Sequence, residues 1–157
     1  LRAHGNIVTL YGALETEELL MLVLEYVRGE DLYYFLETEQ IGEGEAQDNS
    51  SRRSSIMFAQ MCDAVQACHA QGISHRDIKP ENFIVTTTSD DTDKANSMGK
   101  VIVKLSDFGL ATTDRWSADV DCGSAPYMSY ECRNVVGPTY ATQPADVWSL
   151  GIVLINM

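Results

Sequence analysis

Positive charge is scarce in this chain: 11 Lys and Arg stand against 23 Asp and Glu, a formal charge of −12. A nucleic-acid-binding domain carries a basic footprint, so this balance argues against nucleic acid and also disfavours an anionic membrane surface. Long apolar runs are missing as well. The longest strongly apolar run, residues 19–24, is far too short to cross a bilayer. No charged segment followed by an apolar stretch and a small-residue cleavage site marks a secretory signal. The four cysteines, Cys62, Cys68, Cys122 and Cys132, show neither C-x-x-C nor paired-His spacing. They read as reduced, mostly structural thiols in a cytoplasmic or nuclear setting. With 157 residues the chain is long enough for one domain and one core. It starts at Leu1 and stops at Met157 inside an apolar helical pattern, so both ends look cut.

What is present divides into short elements with no internal repeat. Residues 19–24 (LLMLVL) run without alternation, which suits a strand buried on both faces or a buried helical segment. Gly29 permits a bend, and Asp31 is a plausible N-cap for a helix over 32–37. Residues 40–53, with Gly42, Gly44 and Asn49, read as a loop. From 54 to 70 apolar positions cover most of the circumference, predicting a core helix stopped at Gly72. Two short strands follow, over 83–86 and 101–105. The Ser/Thr/Asp-rich stretch between them exceeds the usual hairpin loop of about two to five residues, so it reads as an insertion. Residues 110–138 are polar and irregular. A last helix, beginning near Gln143, is expected to be buried on most sides.

One stretch concentrates chemistry: His75-Arg76-Asp77-Ile78-Lys79-Pro80-Glu81-Asn82. Asp77 is suited to accept a proton from a hydroxyl, Lys79 to neutralise phosphate charge, and Asn82 to offer a hard oxygen to Mg²⁺. The string H-R-D-x-x-x-x-N is a catalytic-loop signature. Asp107-Phe108-Gly109 follows the second strand, and Asp146-Val147-Trp148-Ser149-Leu150-Gly151 comes later. In that order these motifs resemble the eukaryotic protein kinase family, over essentially the whole chain. Lys79 is similar to the serine/threonine branch, and residues 110–128 look most like fungal kinases of the meiosis-inhibiting and nutrient-responsive group.

The resemblance implies an α+β, kinase-like but incomplete fold. Residues 1–27 match the last strands of the small lobe and the hinge, and 28–157 the first part of the mainly helical large lobe, up to its central buried helix. It implies ATP and Mg²⁺ as cofactors and proteins with Ser or Thr acceptors as substrates. Asp77 then matches the base that deprotonates the acceptor, Lys79 the cation beside the γ-phosphate, and Asn82 and Asp107 the metal ligands. Gly109 is expected to supply the backbone freedom that turns the Asp107 carboxylate inward. Glu25 and Val27 match the hinge positions that meet adenine through backbone groups, with Leu24 as gatekeeper. Ile84 packs on the base, and Asp31 and Glu81 face the ribose or a basic substrate residue. His75 and Phe108 match a packed stack, continued by Leu10, and Asp146 an anchor for the loop backbone.

The segment after Gly109 departs from the pattern. Arg76 matches an arginine that often pairs with a phosphorylated residue, but that position falls near Val120, between Asp119 and Asp121. A carboxylate is therefore expected to replace the phosphate, with less charge than its −1.5 to −2 or so. Thr112, Thr113 and Ser117 are alternative phosphosites. Ser124 matches the small hydroxyl that contacts the base. Ser129-Tyr130-Glu131 replaces A-P-E, keeping Glu131 and losing the rigid Pro. No G-x-G-x-x-G-x-V precedes His4 and no V-A-I-K lysine occurs, so residues 1–157 alone are expected to turn over little, with exposed apolar faces. The competing readings are a pseudokinase that binds nucleotide or protein, and a truncated product without a stable fold.

Overall fold

The computed structural model describes residues 1–41, 47–88, 100–120, 122–134 and 137–157. Two strands open the chain, β1 (Leu10–Glu15) and β2 (Leu20–Leu24), paired antiparallel with a bulge at Tyr11 between the Leu10 and Gly12 positions. The expectation of a doubly buried strand at 19–24 does not hold. Every residue of β2 is exposed, because the ribbon has only two strands and no layer among the described residues covers either face.

A three-stranded sheet carries the site. Its order is β3 (Glu30–Asp31), β4 (Phe83–Thr88), β5 (Lys100–Leu105). In β5, Val101, Val103 and Leu105 turn into the core while Ile102 and Lys104 take the other face, the period of two that a half-buried strand imposes. Both hairpin strands run further than their apolar cores at 83–86 and 101–105, and the rest of the expected insertion, 89–99, lies outside the described residues.

Helix α1 (Leu32–Ile41) follows β3 directly, and the Asp31 carboxylate accepts the Tyr34 N–H at 2.9 Å, as an N-cap does. Helix α2 (Gln47–His69) begins well before residue 54, so the expected loop over 40–53 is largely helical, with 42–46 outside the described residues. Polar residues such as Arg52 and Arg53 hid this first part, since a helix needs an apolar stripe only where it meets the core. That stripe is Met57, Met61, Ala64, Val65 and Cys68, all buried, while Ile56 is 43 % exposed. The helix is thus amphipathic, not apolar all round. Past its last residue the chain turns off at Gly72, whose φ of 72° lets the Ile73 N–H turn back to the Cys68 carbonyl.

The stretch read as irregular holds β6 (Trp116–Ser117), which pairs with β7 (Tyr140–Ala141), and the short helix α3 (Tyr130–Arg133). Helix α4 (Thr142–Ile155) buries Ala145, Asp146, Ser149, Leu150 and Val153. Its other side leaves Val147, Trp148, Leu154 and Ile155 between 47 % and 80 % exposed, so burial on most sides is also corrected to burial on one. The main core joins Leu32, Met57, Met61, Phe83, Val103, Leu105 and Val153. No described helix is long and apolar enough to cross a membrane.

Candidate active site

The segment from Ser74 to Asn82 leaves α2 and returns to the sheet through a 3-10 turn, Pro80–Asn82. Arg76 and Asp107 are the two non-glycine residues with left-handed backbone among those described, at φ 67° and 56°. Such conformations cost about 1–3 kcal/mol and persist only when the surroundings impose them. For Arg76 the restraint is visible. The buried Asp146 carboxylate accepts the His75 N–H at 2.8 Å and the Arg76 N–H at 2.7 Å, and its Oδ2 lies 2.8 Å from His69 Nε2. A buried carboxylate needs such donors, so α4 and the loop fix each other.

His75 is packed rather than reactive. Its ring meets Phe108 edge-on at 4.9 Å, and its Nε2 lies 2.9 Å from the Ser106 carbonyl oxygen. Burial pushes its pKa down, against the pull of that carbonyl, so Nε2–H donates and Nδ1 accepts the Asp77 N–H at 3.3 Å. Leu10 does not continue the stack. It stands 54 % exposed in β1, outside the buried cluster.

Asp77 is the centre of the site. Its Oδ1 accepts the Ser124 hydroxyl at 2.8 Å, and its Oδ2 faces Lys79 Nζ at 2.9 Å and Asn82 Nδ2 at 3.2 Å. Lys79 also donates to Ser124 Oγ at 2.8 Å, closing a three-membered ring of contacts. Burial alone would raise the Asp77 pKa, but hydrogen bonds from Lys79 and Ser124 and the Lys79 charge outweigh it, and the carboxyl is held below the usual range. Ser124 comes from far along the chain. It is held there because Gly123, at φ 108°, runs against the loop so closely that a Cβ would sit 2.7 Å from the Arg76 carbonyl oxygen.

Asp107 is exposed at the end of β5, and the Gly109 N–H donates to its Oδ1 at 3.2 Å. The left-handed turn there belongs to Asp107 itself, not to Gly109 as expected. The Asn82 amide nitrogen is committed to the Asp77 carbonyl and carboxylate, which leaves its oxygen to meet a cation. No group of three or more His, Cys, Asp or Glu forms a metal site among the described residues. One amide and one carboxylate nonetheless fit Mg²⁺, which keeps waters and phosphate oxygens in its shell and rarely takes an all-protein cage.

The β3–β4–β5 register sets Asp31, Ile84 and Lys104 in one cross-strand row, and directly opposed residues share a face. The half-buried Glu25 and Val27 and the exposed Leu24 lie at the crossing from β2 to β3, and the Glu25 carboxylate reaches Lys104 at 2.9 Å. Glu81 is exposed in the 3-10 turn, and Glu131 is exposed in the first turn of α3 beside Tyr130, itself 62 % exposed. Arg76 donates from Nε to the Leu110 carbonyl at 2.6 Å and lies 3.5 Å from Asp119 Oδ2. Asp121 lies outside the described residues.

Two supports were not anticipated. Gln60 on α2 braces the open edge of β5: its oxygen accepts from Val103 N–H and Asn6 Nδ2, and its nitrogen donates to the Val101 carbonyl. Lys104 had a visible signal, a lone charge in the apolar strand V-I-V-K-L.

Comparison with known proteins agrees with this arrangement. A family model described as protein kinase domain matches residues 1–157. The chain is 37 % identical to the negative regulator of sexual conjugation and meiosis of Schizosaccharomyces pombe, with 99 % of this chain and 34 % of that protein aligned. Identity is 36 % to the serine/threonine-protein kinase ksp1 of the same organism, over 98 % of this chain and 31 % of that one. It is 34 % to CBL-interacting protein kinase 12 of Oryza sativa subsp. japonica, over 98 % and 25 %. The chain thus spans about a quarter to a third of the length of these relatives. With the loop, the D-F-G carboxylate and the Asp146 anchor in place, the chain belongs to the protein kinase family.

Proposed function

We propose that this protein transfers the γ-phosphoryl group of ATP to serine and threonine hydroxyls of other proteins. In this reading residues 1–27 form the end of a small lobe and the hinge, and 28–157 the first part of the large lobe. The observation that carries it is the Asp77–Lys79–Ser124 ring, a carboxylate kept ionised beside a cation and a hydroxyl. Bound ATP with Mg²⁺ supplies the transferable group and neutralises its oxygens. Asn82 and Asp107 are the residues to hold the metal, and Asp31 and Ile84 with the crossing at Leu24, Glu25 and Val27 form the surface for the nucleoside.

Asp77 orients the acceptor hydroxyl and takes its proton as the oxygen attacks. Its lowered pKa keeps it ionised at neutral pH, which favours orientation over strong basicity. Lys79 sets positive charge beside the moving phosphoryl group. Exposed Glu81 and half-buried Asp31 favour substrates with basic residues before the acceptor. The serine/threonine kinases among the relatives support the acceptor class, and the four free thiols suit a reducing compartment, the cytosol or nucleus. Incubating the full-length protein with ATP, Mg²⁺ and a peptide library tests the proposal. Phosphorylated Ser and Thr after Arg or Lys is the expected product; tyrosine phosphorylation alone, or none, would sink it.

Residues 1–157 by themselves carry neither the Gly-rich motif nor the V-A-I-K lysine, parts that clamp the phosphates in this family. Purified 1–157 is expected to phosphorylate peptide at background level, and clear turnover with contaminating kinases excluded would contradict that.

Asp119 stands in for an activating phosphate by pairing with Arg76. With Asp119 55 % exposed, solvent screening limits such a pair to about 0–1 kcal/mol, so its effect is graded. Changing Asp119 and Asp121 to Asn in the unphosphorylated full-length protein is expected to lower activity by a factor of about 2–5. Unchanged activity would remove the carboxylates from regulation.

A further inference from the structure

The crossing from β2 to β3 is held by a charge pair whose partner is on β5, the strand that leads to Asp107. Glu25 Oε1 lies 2.9 Å from Lys104 Nζ, its Oε2 accepts from the same ammonium at 3.1 Å, and Oε2 also accepts the Thr9 N–H at 3.0 Å. The backbone joins the same place twice more. Glu25 N–H donates to the Thr9 carbonyl, and Val8 N–H donates to Leu105. The side chains of Lys104 and Glu25 are 15 % and 22 % exposed, shielded enough for the pair to outweigh an ordinary surface ion pair. The Lys104 hydrogen bond is also the largest cause holding the Glu25 carboxyl below its usual range, against partial burial.

Lys104 faces outward because Val103 and Leu105 turn inward, and in register it lies opposite Ile84. Three residues after Lys104 comes Asp107. Strand β5 therefore carries the ionic partner of the crossing beside the Ile84 face and, two residues past its end at Leu105, leads into Asp107. We propose that the Glu25–Lys104 pair is a positioning clamp, setting the hinge backbone at a fixed distance from the Ile84 face and Asp107 so that one nucleotide spans all three. Neither side chain needs to touch the nucleotide. The clamp acts on ATP affinity and leaves acceptor binding to the Asp77 end of the site, and it rests on the use of ATP proposed above.

The test is a charge-swap series in the full-length protein: Lys104→Met, Glu25→Gln and Glu25→Lys with Lys104→Glu, each assayed for KM of ATP, KM of peptide and kcat. Each single variant is expected to raise the KM of ATP by about threefold to tenfold while the KM of peptide stays within twofold or so. The swapped pair, which restores opposite charges, is expected to recover at least half of the logarithm of that loss. An unmoved KM of ATP in a wild-type-active background overturns the clamp and leaves the kinase reading intact. A rise in both KM values with a lowered melting temperature and no recovery on swapping overturns it as well, since that is general destabilisation. Absence of ATP-dependent transfer in the wild type overturns both readings together.

Discussion

Asp77 faces two opposed demands: burial, which favours the neutral acid, and Lys79 with Ser124, which favour the anion. The anion wins, and the residue keeps its charge at neutral pH. His75 is the opposite case, a buried imidazole kept neutral. In the unfolded chain its pKa is near the ordinary 6.5 or so, so below that pH the unfolded state takes up a proton that the folded state refuses. Stability is fully present above about pH 6.5 and falls as pH drops toward the lowered folded value. The melting temperature between pH 7.5 and 5.5 is expected to fall less steeply in His75→Phe than in the wild type; parallel slopes would show that His75 does not contribute. Asp77, Lys79 and Asn82 were legible because their motif lies within eight consecutive residues. The roles of Gln60 and Lys104 were not, even though Lys104 stands out as a charge in an apolar strand, because each acts through a partner dozens of positions away that only the folded chain brings near.

The elements were legible wherever a local signal existed. Asp31 capped its helix and Gly72 stopped the next one, since caps and left-handed turns are written in one or two residues. Boundaries failed where an element continues beyond the core: α2 starts at Gln47, and the exposed Ser50, Ser51 and Arg52 carry no apolar period to reveal it. Burial failed for β2 and α4, because an apolar run shows what a segment can bury and not whether a layer covers it. Gly29 is an element-scale constraint of its own, for a Cβ there would collide with the Val85 carbonyl oxygen. Gly29→Ala is expected to part β3 from β4 and lower stability by about 1–3 kcal/mol, read as a shift in denaturant midpoint. An unchanged midpoint would show that the backbone yields without cost.

Across the whole molecule, three distant stretches meet at one loop. Asp146 on α4 fixes its backbone, Ser124 from the following segment meets its base, and Asn82 leads it into the sheet whose strand β5 runs on to Asp107. The order of the motifs revealed this assembly, and the missing motifs pointed to exposed apolar faces without saying that these would be the β1–β2 ribbon and the outer face of α4. The central claim is that the carboxylate of Asp77 performs the proton transfer that phosphorylation of a hydroxyl requires. The most direct measurement compares kcat for a Ser/Thr peptide between the full-length wild type and Asp77→Asn, with ATP binding measured in both. The account predicts a fall of about 10²–10⁴-fold in kcat with ATP affinity retained; an Asp77→Asn protein that turns over at the wild-type rate would contradict it.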